Sequence, residues 1–257
     1  MGTLSIKPHT RNFNLPAIHR VEAARPFAWL RQGWSDLLHS WPLSLATGGV
    51  FTLIGYFLME FAWPRAHLGL ALTTGFLLVA PFLAIVFYEL SRRREAQGAG
   101  RYFEGARQNL SSIGLFALLL TFALSSWERL SAILVALFLR SENIGGGPFS
   151  LGMLFTPDHL GFVVPYMLAG GALAALVFAL SVVSLPMLMD RNVDIATAIM
   201  TSLWVVRENP VPMAVWAFVI GALTLLSQLA WLAPLVVIFP LLGHATWHAY
   251  RDLVGSD

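Results

Sequence analysis

Apolar stretches long enough to cross a bilayer recur along this chain, and they constrain its fold more than any other feature. They run at about 42–63, 67–90, 111–139, 160–185, 210–229 and 233–250. A helix of roughly 18–20 apolar residues traverses a ~30 Å hydrocarbon core. Inside lipid every backbone polar group needs an internal partner, which leaves only helices or closed barrels. Barrel strands would show as short alternating segments, and none are present. The expected fold is an all-α polytopic membrane protein. Charged residues make up 12% and hydrophobic residues 57%, with a mean hydropathy of +0.69; soluble domains carry about 25% charge.

Residues 1–24 are polar and irregular and read as a flexible cytoplasmic tail, leaving 25–254 as one membrane domain. From Pro26 the period changes: Phe27, Leu30, Trp34, Leu37, Leu38 and Trp41 recur at helical spacing, while Arg31, Gln32, Ser35, Asp36 and His39 fall elsewhere on the wheel. Such a helix lies in the headgroup region or packs on the protein. The six spans are expected as three hairpins, each preceded by an amphipathic or interfacial cytoplasmic helix. The apolar region 210–250 divides at Gln228 to Pro234; five spans with a re-entrant last segment is the alternative. The third segment is too long for one crossing, so Leu130 to Leu139 is expected to lean along the outer surface. That places Glu128 and Arg129 near the outer interface beside Trp127; a buried ion pair is the other reading.

Charge placement orients the chain. With both termini inside, thirteen of the sixteen basic residues lie on inner segments, and Arg65, Arg129 and Arg140 do not. This positive-inside asymmetry predicts a bacterial inner-membrane protein with cytoplasmic N- and C-termini. No apolar core with a cleavage site precedes residue 40, so the first span is expected to act as the targeting signal. The net charge of +2 is too small to suggest nucleic acid, and the absence of cysteine excludes thiolate ligands and disulfides.

Three similar pieces recur. Trp41-Pro42, Asn109-Leu110 and Asn209-Pro210 open them, and Glu60, Glu128 and Gln228 follow eighteen residues after Pro42, Leu110 and Pro210. The returning segments carry Pro81, Pro186 and Pro240. Glu60, Glu128, Arg129 and Gln228 line a shared polar pathway in one reading. In the other they only mark the outer interface of equivalent helices.

His244 and His248 stand four apart near the last inner boundary, so both imidazoles project from one helix face. They could ligate a transition metal or a haem iron, with Glu89, Asp190 or Asp194 as a third ligand. They could equally be structural or handle protons. The spacing lacks the glutamate of a zinc hydrolase, and no cofactor is required by the sequence. No nucleophile with a convincing base appears. Ser181, Ser184, Thr201 and Ser202 are expected to satisfy backbone carbonyls, and the methionines to pack.

Three stretches together resemble an uncharacterised family of bacterial integral membrane proteins, a domain of unknown function. They are Arg25-Pro-Phe-Ala-Trp-Leu-Arg-Gln-Gly-Trp-Ser-Asp-Leu37, then Phe178 to Pro210 with Ser-Leu-Pro-Met-Leu-Met-Asp190-Arg191, and Pro240 to Val254 with Gly-His-Ala-Thr-Trp-His-Ala-Tyr-Arg251. The resemblance implies the membrane architecture and no known activity. Labels in that family pointing to a cytochrome oxidase subunit find little support, since the dispersed histidines for several haems and copper are missing. The expected function is a non-catalytic accessory, assembly or scaffold component. The alternatives are a small-solute or ion transporter and a metal- or haem-binding redox component. The bilayer is the expected partner, together with a membrane complex or a second copy of the chain.

Overall fold

A computed structural model describes residues 16–62, 83–98, 102–138 and 160–255. Most of the second expected span, its leading turn Pro64-Arg65-Ala66, Pro81, and the outer loop 140–158 lie outside the described residues. The described residues form helices α1 (Arg25–His39), α2 (Trp41–Ala62), α3 (Ile85–Glu95), α4 (Glu104–Gln108), α5 (Leu110–Phe138), α6 (Leu160–Ser181), α7 (Ser184–Asp190), α8 (Ile195–Glu208), α9 (Pro210–Leu229) and α10 (Leu235–Leu253). Among the described residues, four stretches are long and apolar enough to cross a membrane: Trp41–Leu58, Leu110–Phe138, Leu160–Asp190 and Pro210–Leu229. Helix α10 is not among them, because Thr246, His248, Arg251 and Asp252 dilute its C-terminal half.

Helix α10 is instead the element on which the others pack. Its side chains at Leu235, Phe239, His244, Ala245, Trp247, Tyr250 and Leu253 are buried. Helices α1 and α2 run antiparallel along it, α1 against its C-terminal half and α2 against its N-terminal half. Two glycines permit this closeness. A Cβ on Gly33 would stand 2.7 Å from the Ala245 backbone nitrogen. A Cβ on Gly48 would collide with the Val236 carbonyl. That carbonyl is free because Pro240, four residues on, has no N–H to offer it. Phe51 of α2 stacks on Phe239 at 3.8 Å between centroids, and Phe87 of α3 meets the same ring edge-on.

The wheel of α1 divides in a way the sequence only half reveals. Pro26, Trp29, Gly33, Asp36 and Leu37 are buried, whereas Phe27, Trp34 and Leu38 of the apolar set are exposed. Asp36, expected on the polar side, faces α10.

Helix α5 continues through Leu130 and stays paired with α6. Trp127 sits on Tyr166 at 5.1 Å, Ser131 Oγ lies 3.0 Å from the Tyr166 hydroxyl, and Phe138 still reaches Phe162. At 1.5 Å per residue this pairing carries α5 about 43 Å. Gly170 receives the Trp127 ring, the close contact expected of small residues between membrane helices. At the C-terminal end of α6 a turn at Val182-Val183 leads into α7, whose Ser184 to Met189 are all buried. Serine hydroxyls secure this corner: Ser181 donates to Val177 O, Ser184 to Ala198 O and Ser202 to Ala179 O.

A one-residue joint links a shorter helix to a long one at Ser40, Asn109 and Asn209. The Asn109 side chain donates to the carbonyls of Leu188 and Val193. The Asn209 side chain donates to His19 O and accepts from Val21 N. Residues 16–24, grouped by composition with a flexible tail, are thus anchored. Ile18 pairs with Val254, and Arg20 meets Glu208. Between α9 and α10 the turn expected at Gln228 to Pro234 holds Trp231 and Leu232 at positive φ of 55° and 62°.

Candidate functional site

Helices α1, α2, α3 and α10 meet in a chain of hydrogen bonds centred on His244. His244 is fully buried. Its Nε2 lies 3.0 Å from Ser44 Oγ and its Nδ1 2.8 Å from Ser91 Oγ. Ser91 Oγ also reaches Asp36 Oδ2 at 2.5 Å, and Ser44 Oγ lies 3.0 Å from Ser40 Oγ, which bonds the Asp36 carbonyl at 2.9 Å. From Asp36 through Ser91 and His244 to Ser44, a chain of hydrogen bonds ties four helices, its longest link spanning 200 positions, and the single proton of Ser40 serves either Ser44 or the Asp36 carbonyl.

Donor arithmetic fixes the direction of these bonds. An ionised carboxylate only accepts, so Ser91 donates its single proton to Asp36. Ser91 must then accept from His244, which places the imidazole proton on Nδ1. Nε2 is left as an acceptor and takes the proton of Ser44. Both ring nitrogens of His244 are therefore engaged inside the protein.

Asp36 is the hub of a second layer. Its Oδ2 lies 2.8 Å from His248 Nε2, and its Oδ1 accepts from Arg94. Burial alone would raise the Asp36 pKa; the hydrogen bonds from His248 and Ser91, with the charges of the two histidines, outweigh it and hold the carboxyl below its ordinary 3.8. On its other side His248 Nδ1 stands 3.7 Å from Glu95 Oε1, and Glu95 pairs with Arg251 at 3.2 Å. Here burial prevails over Arg251 and pushes the Glu95 carboxyl above its ordinary 4.5. Further along, the buried Tyr250 hydroxyl donates to Asp190 Oδ2 at 2.8 Å and accepts from Arg191 Nε at 3.0 Å. At the far end of α10, Asp252 joins Arg25 and the Trp29 indole N–H.

Of the residues singled out by sequence, His244 and His248 do share one α10 face and one network, joined through Ser91 and Asp36. The carboxylates considered as third ligands are engaged elsewhere. Glu89 pairs with Arg92 at 2.9 Å, Asp190 with Tyr250, and Asp194 caps α8 by accepting from Thr197 N at 2.8 Å. Among the described residues no group of three His, Cys, Asp or Glu side chains has metal-holding geometry. Glu60, Glu128 and Arg129 are exposed and Gln228 is half-buried. Their helices α2, α5 and α9 share no substantial interface, so these groups are not gathered into one site.

Asp36, Ser44 and Ser91 carry the chain, and none of them stands out as a site residue in the sequence. The order Ser44, His244, Ser91, Asp36 resembles a nucleophile, base and orienting chain, a pairing not visible in sequence. Ser44 is fully buried, however, and a nucleophile must be reached by its substrate. The arrangement is suited to holding helices, not to acyl transfer.

Residues 69–190 match the model of a family described as "Predicted integral membrane protein (DUF2189)", in keeping with the uncharacterised membrane family that the motifs resemble. The match covers just under half of the chain. Ser91, Arg94 and Glu95 fall within it, whereas Asp36, Ser44, His244 and His248 do not. No curated protein and no solved structure matches.

Proposed function

We propose that this protein is a non-catalytic accessory, assembly or scaffold component of the bacterial inner membrane. The observation that supports this is the buried hydrogen-bond chain. Asp36, Ser91, His244 and Ser44 direct their polar capacity at one another, and Ser44, Ser91 and His244 are fully buried. Buried polar networks that are fully satisfied rigidify a fold and specify one arrangement. A rigid inner face is what a docking or assembly component requires.

In this reading the domain at 25–254 has six spans arranged as three repeated hairpins, and both termini are cytoplasmic. The chain contains no cysteine, so single cysteines report topology without background. An impermeant maleimide applied to intact spheroplasts should label cysteines placed at Glu60, Glu128 and Gln228. It should reach one at His39 only after permeabilisation; labelling of position 39 in intact spheroplasts overturns the orientation.

Function is tested by native electrophoresis of the protein extracted in mild detergent. Migration in a stoichiometric complex with a respiratory or envelope assembly supports the scaffold role. Transport through a pathway bearing Glu60, Glu128, Arg129 and Gln228 is the competing reading. Migration alone, with solute uptake abolished by Glu128→Ala at normal protein level, overturns the scaffold role in favour of transport.

A further inference from the structure

Helices α1 and α8 each leave an apolar face that no described residue covers. On α1, Phe27, Trp34 and Leu38 fall within about 40° of one another on the helical wheel and are 59%, 46% and 55% exposed. This face is distinct from the Trp29, Gly33 and Leu37 face that packs on α10. On α8, Met200, Leu203 and Trp204 are similarly exposed. An arginine edges each stripe. Arg31 is exposed and has no hydrogen bond or ion pair among the described residues. The Arg207 guanidinium stands 5.3 Å from the centroid of the Trp204 ring.

The occupant follows from what adjoins these stripes. The α1 stripe runs through exposed Trp41 into exposed Leu43, Val50, Leu53, Ile54 and Phe57 of α2, whose Trp41–Leu58 portion is a candidate span. It is thus continuous with a surface that meets acyl chains. Tryptophans favour the headgroup boundary, and arginine stems lie along apolar surface while the guanidinium reaches the phosphate layer. Apolar stripe, tryptophan and unpaired cation together match an anionic phospholipid more closely than a neutral one.

We infer that α1 and α8 form a surface that binds anionic phospholipid, with the two stripes in the headgroup boundary and Arg31 and Arg207 on lipid phosphates. This rests on insertion in a membrane and not on the scaffold role, so either can fail alone.

The test uses the full chain in nanodiscs of phosphatidylcholine mixed with phosphatidylglycerol. Native mass spectrometry after transfer to mild detergent counts the lipids retained. Wild type should retain phosphatidylglycerol in excess, and Arg31→Gln with Arg207→Gln should cut that excess by about fivefold per arginine. Phosphatidylcholine retention should not change. As a second readout, lipids brominated near the headgroup should quench Trp34 and Trp204, seen as loss of quenchable emission in Trp34→Phe and Trp204→Phe. Equal retention of the two lipids by wild type, or an unchanged excess in the double variant, overturns the inference. So does emission from both tryptophans that bromolipid leaves intact because a second copy or another protein covers them.

Discussion

Replacing Asp36 by asparagine removes the charge on which the inner-face network converges. Ser91, His248 and Arg94 all donate to this carboxylate. A hydrogen bond to a charged group contributes about 1.5–3 kcal/mol, and a donor left buried without a partner costs a similar amount. Arg94 is 36% exposed on its side chain, so water replaces the carboxylate and its share falls toward the ~0–1 kcal/mol of a surface pair. Ser91 is fully buried and the His248 side chain is 14% exposed, so neither recovers its partner from solvent. Asparagine keeps one acceptor oxygen but points an NH2 group at a site built of donors. Allowing for non-additivity, the loss is about 2–4 kcal/mol, near the lower end of breaking a buried pair. At about 2–4 °C per kcal/mol for a chain of this size, an intermediate loss lowers the melting temperature by roughly 6–12 °C. Tryptophan emission during heating in mild detergent measures it, with Glu60→Gln as the exposed control expected within about 1 °C. A melting temperature of Asp36→Asn equal to that of the control would refute the hub role. A cycle with Ser91→Ala should show a coupling of about 0.5–3 kcal/mol; strict additivity would break the link between the two.

Three further outcomes can be checked in the same melts. Gly33→Ala drives a methyl into the Ala245 backbone and should cost about 1–3 kcal/mol, whereas Gly49→Ala meets nothing within 4 Å and should stabilise by up to about 1 kcal/mol. Tyr250→Phe removes the hydroxyl shared by Asp190 and Arg191 and should cost about 1–3 kcal/mol; no change in melting would show the hydroxyl is dispensable. The pH profile carries two opposite signs. The raised Glu95 carboxyl stabilises the fold when protonated, a contribution complete below 4.5 and lost as pH rises through its folded value. The lowered Asp36 carboxyl stabilises when ionised, a contribution present above 3.8 and lost as pH falls through its folded value. On acidification from neutrality toward pH 4.5, wild type should therefore gain stability relative to Glu95→Gln, and below pH 3.8 the Asp36 contribution should be lost from both. A stability difference between wild type and Glu95→Gln that does not change with pH would contradict the assignment.

Much of this fold is legible because the bilayer permits few solutions. Runs of apolar residues bound α2, α5 and α9 to within a residue or two, since length and polarity alone decide where a span begins. The joints at Asn109 and Asn209 are legible because an amide before an apolar run competes with the helix backbone and stops it. The pairing of His244 with His248 follows from helical spacing. Asp36 is not legible in this way. On the wheel it stands about 180° from Phe27, away from the apolar set, and the docking of α1 on α10, held by Gly33 against Ala245, buries that side. Its partner His248 lies 212 positions away, and no local period encodes such a pair. Ser44 and Ser91 are small hydroxyls beside apolar runs, indistinguishable in sequence from serines that bond their own helix, as Ser181 and Ser227 do. The pairing of α5 with α6 beyond Leu130 is not legible either, because it rests on Trp127 and Ser131 meeting Tyr166 and on Phe138 meeting Phe162, contacts that no local period encodes.

The most direct test of the account is whether the inner-face histidines hold a metal or haem. Protein purified from its own membranes in mild detergent would be measured for bound metals and for visible absorption, alongside His244→Ala. With Nδ1 committed to Ser91 and Nε2 to Ser44, metal should stay far below one equivalent, no Soret band should appear, and the variant should differ only in stability. A stoichiometric metal or a Soret band that disappears in His244→Ala would contradict the engagement of both His244 nitrogens by serines and make the end of α10 a redox or metal centre.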